Sequence, residues 1–171
     1  MNVLAQLKHS YLHYHKQFSM QGSKKLKARK RIALIAHDHK KEELIEWVIT
    51  NKDTLLQHEL FATGTTGKMT EAALNHHVKK LLSGPLGGDQ QIGSMIATGD
   101  IDMVIFFWDP MEAQPHDTDV KALLRLCAVW NIPMACDRAT ADFIMTSPFM
   151  NQEYEAVIPD YDGYLNRKII P

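Results

Sequence analysis

The stretch Asp102-Met103-Val104-Ile105-Phe106-Phe107-Trp108 holds the longest unbroken apolar run in the chain. A membrane helix needs roughly 18 such residues, so this run is the size of a strand. It lacks the apolar/polar alternation of a strand with one wet face. It is therefore read as a central strand of a parallel sheet, covered on both faces.

Working outward, short apolar runs alternate with amphipathic helical stretches. Ile32 to Ala36 reads as a buried strand, followed by a helix over Lys41 to Asn51 with Leu44, Ile45 and Val48 on one face. A second strand ends at Leu60 to Ala62, and a helix is expected around Met69 to Leu74. Val78 to Leu82 is the third strand and Gln90 to Thr98 the next helix. Beyond the central strand come a helix over Val120 to Trp130, a fifth strand at Ile132 to Cys136 and a helix near Ala139 to Thr146. A C-terminal helix is expected around Tyr161. Strands alternating with helices of about ten residues predict an α/β fold, a three-layer α/β/α sandwich on a mainly parallel five-stranded sheet. In such sheets ligands bind beyond the carboxyl ends of the strands.

With 171 residues, 45% of them hydrophobic and 23% charged, the chain has the size and make-up of a single globular domain. Residues 1–37 carry Lys8, Lys16, Lys24, Lys25, Lys27, Arg29, Lys30 and Arg31 with no acid, leaving eleven basic against twenty acidic residues in the rest. Residues 1–28 read as a basic N-terminal extension and 29–171 as a single domain. Leu4, Leu7, Tyr11 and Tyr14 in the extension fall at helical spacing. The extension holds no nucleic-acid-binding module signature, so a solvated arm is preferred to a nucleic-acid or membrane contact. The first stretch has no apolar block of the kind that opens a secretory leader. Cys127 and Cys136 make neither a CxxC pair nor a disulfide framework, and the reading is a reduced, cytoplasmic protein.

The polar clusters sit where the sheet rule places a site. Thr63-Gly64-Thr65-Thr66-Gly67 follows the second strand with hydroxyl donors, small residues and a helix start, the makings of a phosphate cradle. It is not a Walker loop, since Ala62 and Met69 occupy positions that motif reserves for Gly and for Ser or Thr. A polar strand-to-helix turn is the plainer alternative. Ser83-Gly84-Pro85-Leu86-Gly87-Gly88-Asp89 is a second such loop, in which Asp89 is either a helix cap or a general base. His37, His39 and His116 share this edge with Asp38, Asp109, Asp117 and Asp119. That mixture invites a metal, but no HExxH or paired-cysteine spacing supports one, and no metal is assigned. Lys41 opens the first helix and can pair with a phosphate as a point charge.

Taken in order, five segments resemble the methylglyoxal synthases: Ala36-His37-Asp38-His39-Lys40-Lys41, Ala62 to Gly67, Ser83 to Gln91, Phe106-Phe107-Trp108-Asp109-Pro110 and Pro115 to Arg125. The resemblance runs from about Arg29 to Lys168. It implies a lyase that converts dihydroxyacetone phosphate to methylglyoxal and inorganic phosphate with no cofactor, by proton abstraction to an enediolate and phosphate elimination. It implies Asp89 as the base; Lys41, Thr63, Gly64, Thr65, Thr66, Ser83 and Gly84 around the phosphate; and His37 and His116 against the substrate, with His116 as proton shuttle. Asp109 and Asp119 match the acidic residues placed around the catalytic pair. A homohexamer is implied, with phosphate as product and candidate inhibitor. Cys136-Asp137 and Lys168 depart from the family pattern, which has a Thr-Asn-like pair and an arginine there. The alternative function is a non-catalytic phosphometabolite-sensing domain of the same fold, which would have no use for Asp89 as a base.

Overall fold

The computed structural model describes residues 22–112 and 117–161. Its elements are β1 (Ser23–Leu26), β2 (Arg31–Ala36), α1 (Lys41–Thr50), α2 (Lys52–Leu55), β3 (Glu59–Thr63), α3 (Gly64–Leu74), β4 (Lys79–Leu81), α4 (Gly88–Ala97), β5 (Met103–Phe107), α5 (Asp117–Val129), β6 (Met134–Ala135), α6 (Arg138–Met145) and β7 (Tyr154–Val157). Five strands form one sheet in the order β4-β3-β2-β5-β6, and every pairing in it is parallel.

The two-residue period of a strand divides the core. Ile32, Leu34 and Ala36 of β2, with Met103, Ile105 and Phe107 of β5, face α1, α2, α3 and α6 through Trp47, Leu55, Leu74 and Met145. Ala33, Ile35, Val104 and Phe106 turn the other way, onto Ile92 and Ile96 of α4 and Val120, Leu123 and Cys127 of α5. Both faces of the central strands are thus dry, which is why β5 reads as an unbroken apolar run. The expected three-layer sandwich is present. Trp47 is fully buried, and its indole N–H donates to Asp142 Oδ1 at 2.8 Å, tying α1 to α6 across the first face.

Three features differ from the sequence expectation. Ser23–Leu26, inside the segment expected as an extension, is a strand. It pairs antiparallel with β7, Ser23 opposite Val157 and Leu26 opposite Tyr154. Lys24 carries this ribbon to the sheet, donating to Ile101 O at 3.2 Å and lying 3.4 Å from Asp102. Tyr161 is not helical: its hydroxyl donates to Val129 O at 2.6 Å and its ring packs edge-on to Trp130, a tether to the end of α5. The residues after it, and the helix expected over Leu4 to Tyr14, lie outside the described residues. Finally, α3 and α4 begin earlier than expected, at Gly64 and Gly88, which bears directly on the site.

The amino ends of β2 and β5 are joined by Asp102, which accepts from the Arg31 backbone N–H and Nε and, through its other oxygen, from Nη2, at 2.9 to 3.0 Å. Burial alone would raise this carboxyl; the bonds from Arg31 and the charges of Arg31 and Lys24 outweigh it and hold it below the usual carboxylate range. Nearby, His58 is 1% exposed and its Nδ1 accepts from the Lys30 N–H at 3.2 Å. Burial, with the Lys30 charge second, pushes this imidazole down to about 4. The folded chain therefore keeps His58 neutral at pH values where an unfolded histidine, near 6.5, takes a proton. Protonation favours the unfolded state as pH falls through that window. The melting temperature should drop more steeply between pH 7 and 5 in the parent chain than in His58→Asn, which keeps an acceptor but does not titrate. Parallel slopes in thermal scans across that range would contradict this.

Candidate active site

Parallel strands deliver their carboxyl ends to one edge, and there the chain builds a cavity of about 80 Å³. It is lined by His37 and Asp38 after β2, Lys41 at the start of α1, Thr63, Thr65 and Thr66 at the start of α3, Ser83 and Gly84 before α4, and Asp89 within α4. Ile35 and Phe106 form its apolar floor.

The start of α3 converts the Thr-rich segment from a loop into a first helical turn. Thr63 is the N-cap, and no side chain caps this helix; the same is true of Gly87 before α4. Two helix amino ends therefore border one cavity without a side-chain cap from either N-cap residue, an arrangement that favours an anion. Asp89 lies inside the first turn of α4, so the capping reading of this residue gives way. It is 5% exposed.

The two turns are also fastened to each other. Gly64 N–H donates to Leu82 O at 3.2 Å, and a Cβ on Gly64, at φ +24°, would stand 3.0 Å from Ser83 Cα. On the other side a Cβ on Gly88 would stand 2.1 Å from the same Leu82 oxygen, so only glycine lets α4 begin so close. Leu82 N–H in turn donates to Gln91 Oε1 at 2.8 Å. One peptide, that of Leu82, thus holds the start of α3 and the helix bearing Asp89.

His37 is 5% exposed, edge-on to Phe106 at 5.1 Å, and its Nδ1 accepts from the Asp109 N–H at 3.2 Å. A ring nitrogen that accepts carries no proton, so this bond puts the ring proton on Nε2 and makes that atom a donor. Lys41 pairs with Asp38, and that contact, through hydrogen bond and charge, holds Asp38 below the ordinary carboxylate range. The lysine ammonium is thereby kept at the cavity wall.

The chain as a whole is similar to known proteins. A family model described as an MGS-like domain matches residues 43–136. The methylglyoxal synthase of Saccharophagus degradans is 63% identical over 140 residues, covering 82% of this chain and 91% of that protein. That of Coxiella burnetii is 55% identical, covering 82% of this chain and 98% of its own. A crystal structure of methylglyoxal synthase from Elizabethkingia anophelis matches with a TM-score of 0.83 and 65% identity, over 87% of this chain and 98% of that one. The chain belongs to the methylglyoxal synthase family.

Of the residues singled out from sequence, His37, Lys41, Thr63, Thr65, Thr66, Ser83, Gly84 and Asp89 are brought together in the one cavity, and Gly64 packs directly behind Ser83. Asp109 joins the cavity through the His37 bond. Asp119 lies on an adjoining apolar groove of about 330 Å³ that Asp89 also borders. His116, Arg167 and Lys168 lie outside the described residues. Asp137 caps α6 by accepting from the Thr140 N–H at 2.8 Å and does not line the cavity.

Sequence reasoning missed the part played by Gln91, because a glutamine in an exposed first turn carries no signal until the Leu82 peptide is seen against it. A neutral hydrogen bond of this kind contributes about 1 kcal/mol. Gln91→Leu should lose about that much in a denaturant titration, while Gln91→Glu, which keeps an acceptor oxygen there, should stay nearer the parent chain.

Proposed function

We infer that this chain is a carbon–oxygen lyase that converts dihydroxyacetone phosphate to methylglyoxal and inorganic phosphate. The observation that carries this reading is a buried carboxylate, Asp89, sharing one small cavity with two helix amino ends, three threonine hydroxyls and a lysine. Membership of the methylglyoxal synthase family supports it. A phosphate monoester fits the cationic, donor-rich end, and a base beside it fits chemistry on the carbon skeleton.

In the mechanism, Lys41, Thr63, Gly64, Thr65, Thr66, Ser83 and Gly84 hold the phosphate. Asp89 takes a proton from the hydroxymethyl carbon, alpha to the ketone, and the electron pair moves onto the carbonyl oxygen to give an enediolate. That oxygen needs a donor. His37, with its proton on Nε2, supplies one from the cavity wall, and His116 supplies the second and moves protons between the oxygens. The carbon–oxygen bond to the phosphate then breaks, phosphate leaves with the electron pair, and the enol left behind takes up a proton to become methylglyoxal. Elimination is fast only when that bond lies roughly perpendicular to the enediolate plane. Phosphate contacts from both fastened turns set this torsion, and fixing the reactive geometry is worth several kcal/mol of barrier. Asp109 orients His37 through its backbone N–H, and the carboxylates of Asp109 and Asp119 surround the base and shuttle.

Residues 29–171 are read as one catalytic domain, with the β1 strand laid against it. A homohexamer follows the family pattern, and the apolar groove between α4 and α5 beside Asp89 and Asp119 is a surface suited to cover by another copy. Phosphate, which leaves this same cavity, is expected to inhibit. No helix among the described residues is long and apolar enough to cross a membrane. Cys127 and Cys136 are both free, which suits a reducing, cytoplasmic setting.

A paired assay tests the reading: dihydroxyacetone phosphate should yield methylglyoxal and phosphate in equal amounts, with or without chelator. Phosphate alone would mean hydrolysis, and neither product, with substrate still bound, would mean the sensing alternative. Asp89→Asn should lose about 10²–10⁴-fold in kcat, the range of a general base, while still binding inorganic phosphate. A variant with most of its turnover intact would remove Asp89 from that role. His116→Asn should slow turnover and leave substrate binding measurable.

A further inference from the structure

Beside the cavity, outside its lining, three side chains of mixed chemistry meet. His39 sits in the short 3-10 turn Asp38–Lys40 that follows β2, and Asp109 and Glu112 lie on the segment after β5. One ligand atom from each lies within 4.8 Å of the other two, and His39 Nε2 stands 3.6 Å from Glu112 Oε2. That last distance is too long for a hydrogen bond. It is close to the spacing, about 3.4 Å, of two donors that each sit about 2.1 Å from one zinc-sized ion.

Glu112 Oε2 provides the second observation. Although the Glu112 side chain as a whole is 41% exposed, this oxygen is shut off from solvent and has no hydrogen-bond partner. An anionic oxygen removed from water without a donor carries a desolvation penalty that a cation would relieve. His39 Nε2 approaches it only to 3.6 Å, beyond hydrogen-bond reach, and the nearby Lys40 pairs instead with Glu43 at 2.9 Å, its charge felt at Asp109. Asp109 uses Oδ1 to accept from the Met111 N–H at 3.0 Å, which stiffens the loop and holds the carboxylate in place. His39 is 70% exposed, so its ring can turn to close the remaining distance.

We propose that His39, Asp109 and Glu112 form a site for a borderline divalent cation of the zinc class, and that its occupancy lowers turnover. One imidazole with two carboxylates is a donor set suited to zinc, cobalt or nickel rather than to magnesium, which prefers oxygen alone. Three protein donors leave coordination positions for water. The ion cross-links the turn after β2 to the segment after β5. These two segments already meet at the His37–Asp109 bond on the cavity edge, and the second leads on to His116. Binding therefore withdraws the Asp109 carboxylate from the cavity edge. The site is inhibitory because it draws on Asp109, whose carboxylate the lyase reading places beside the base and the shuttle.

The test uses the full chain, stripped with chelator and titrated calorimetrically with Zn²⁺. One ion per chain should bind in the micromolar range, and His39→Asn and Glu112→Gln should each weaken it by about tenfold or more. Turnover of dihydroxyacetone phosphate by the parent chain should fall with the same midpoint as binding, and either variant should remain active at that zinc concentration. A Co²⁺ titration of the parent chain, followed by its visible absorption, reads ligation without any substitution and covers the case of a variant that folds poorly. Mg²⁺ should produce none of these effects. Absence of Zn²⁺ binding and of a Co²⁺ spectrum would overturn the site, as would binding that both folded variants retain. Stoichiometric binding with turnover unchanged would overturn the inhibitory role. Because the calorimetric and optical readouts do not use the reaction, failure of the lyase reading would be distinguishable from failure of this one.

Discussion

Every strand of the five-stranded sheet runs the same way, and the site depends on that constraint. β2 pairs with β3 from Arg31↔Glu59 to Leu34↔Ala62, and with β5 from Ile32↔Met103 to Ala36↔Phe107. In that register the residues after β2, β3 and β5 emerge side by side. Parallel pairing also forces crossover helices onto both faces, so helix amino ends arrive at the same edge. The anion-favouring field and the placement of the buried carboxylate are consequences of topology before they are consequences of individual side chains.

The Leu82 peptide turns this general arrangement into a small, fixed cavity. Its carbonyl receives Gly64 N–H and leaves Gly88 no room for a side chain; its N–H is held by Gln91. Through these contacts the Thr-rich turn and the helix start that carries Asp89 are fastened to one peptide. The proposed reaction needs that rigidity, since in it the two groups act on opposite ends of a three-carbon substrate. At the other end of the sheet Asp102 does a comparable job for stability, joining Arg31, Lys24 and the β1–β7 ribbon around one buried charge.

The departures between sequence and structure are instructive at particular residues. Ser23–Leu26 reads as a basic tail because two of its four residues are lysines; its strand character comes from β7, more than a hundred residues away. Gly87 and Gly88 mark a turn in the sequence, but the helix starts earlier than the first apolar residue suggests, which changes Asp89 from a cap to a first-turn carboxylate. Asp109 is legible as a candidate, yet its part at the His37 ring uses the backbone N–H, which no residue type announces.

By itself the sequence determined the alternation of strands and helices, the dryness of β5 on both faces, and the residue types gathered after each strand. These are local properties: periodicity follows from backbone geometry, and hydroxyls, glycines and carboxylates carry their chemistry wherever they sit. Only the tertiary structure decided which of them share a cavity, which tautomer His37 adopts, that Gln91 holds the Leu82 peptide, and that Glu112 meets His39. Those facts are distances between segments far apart along the chain, set by packing two apolar faces of one parallel sheet at once.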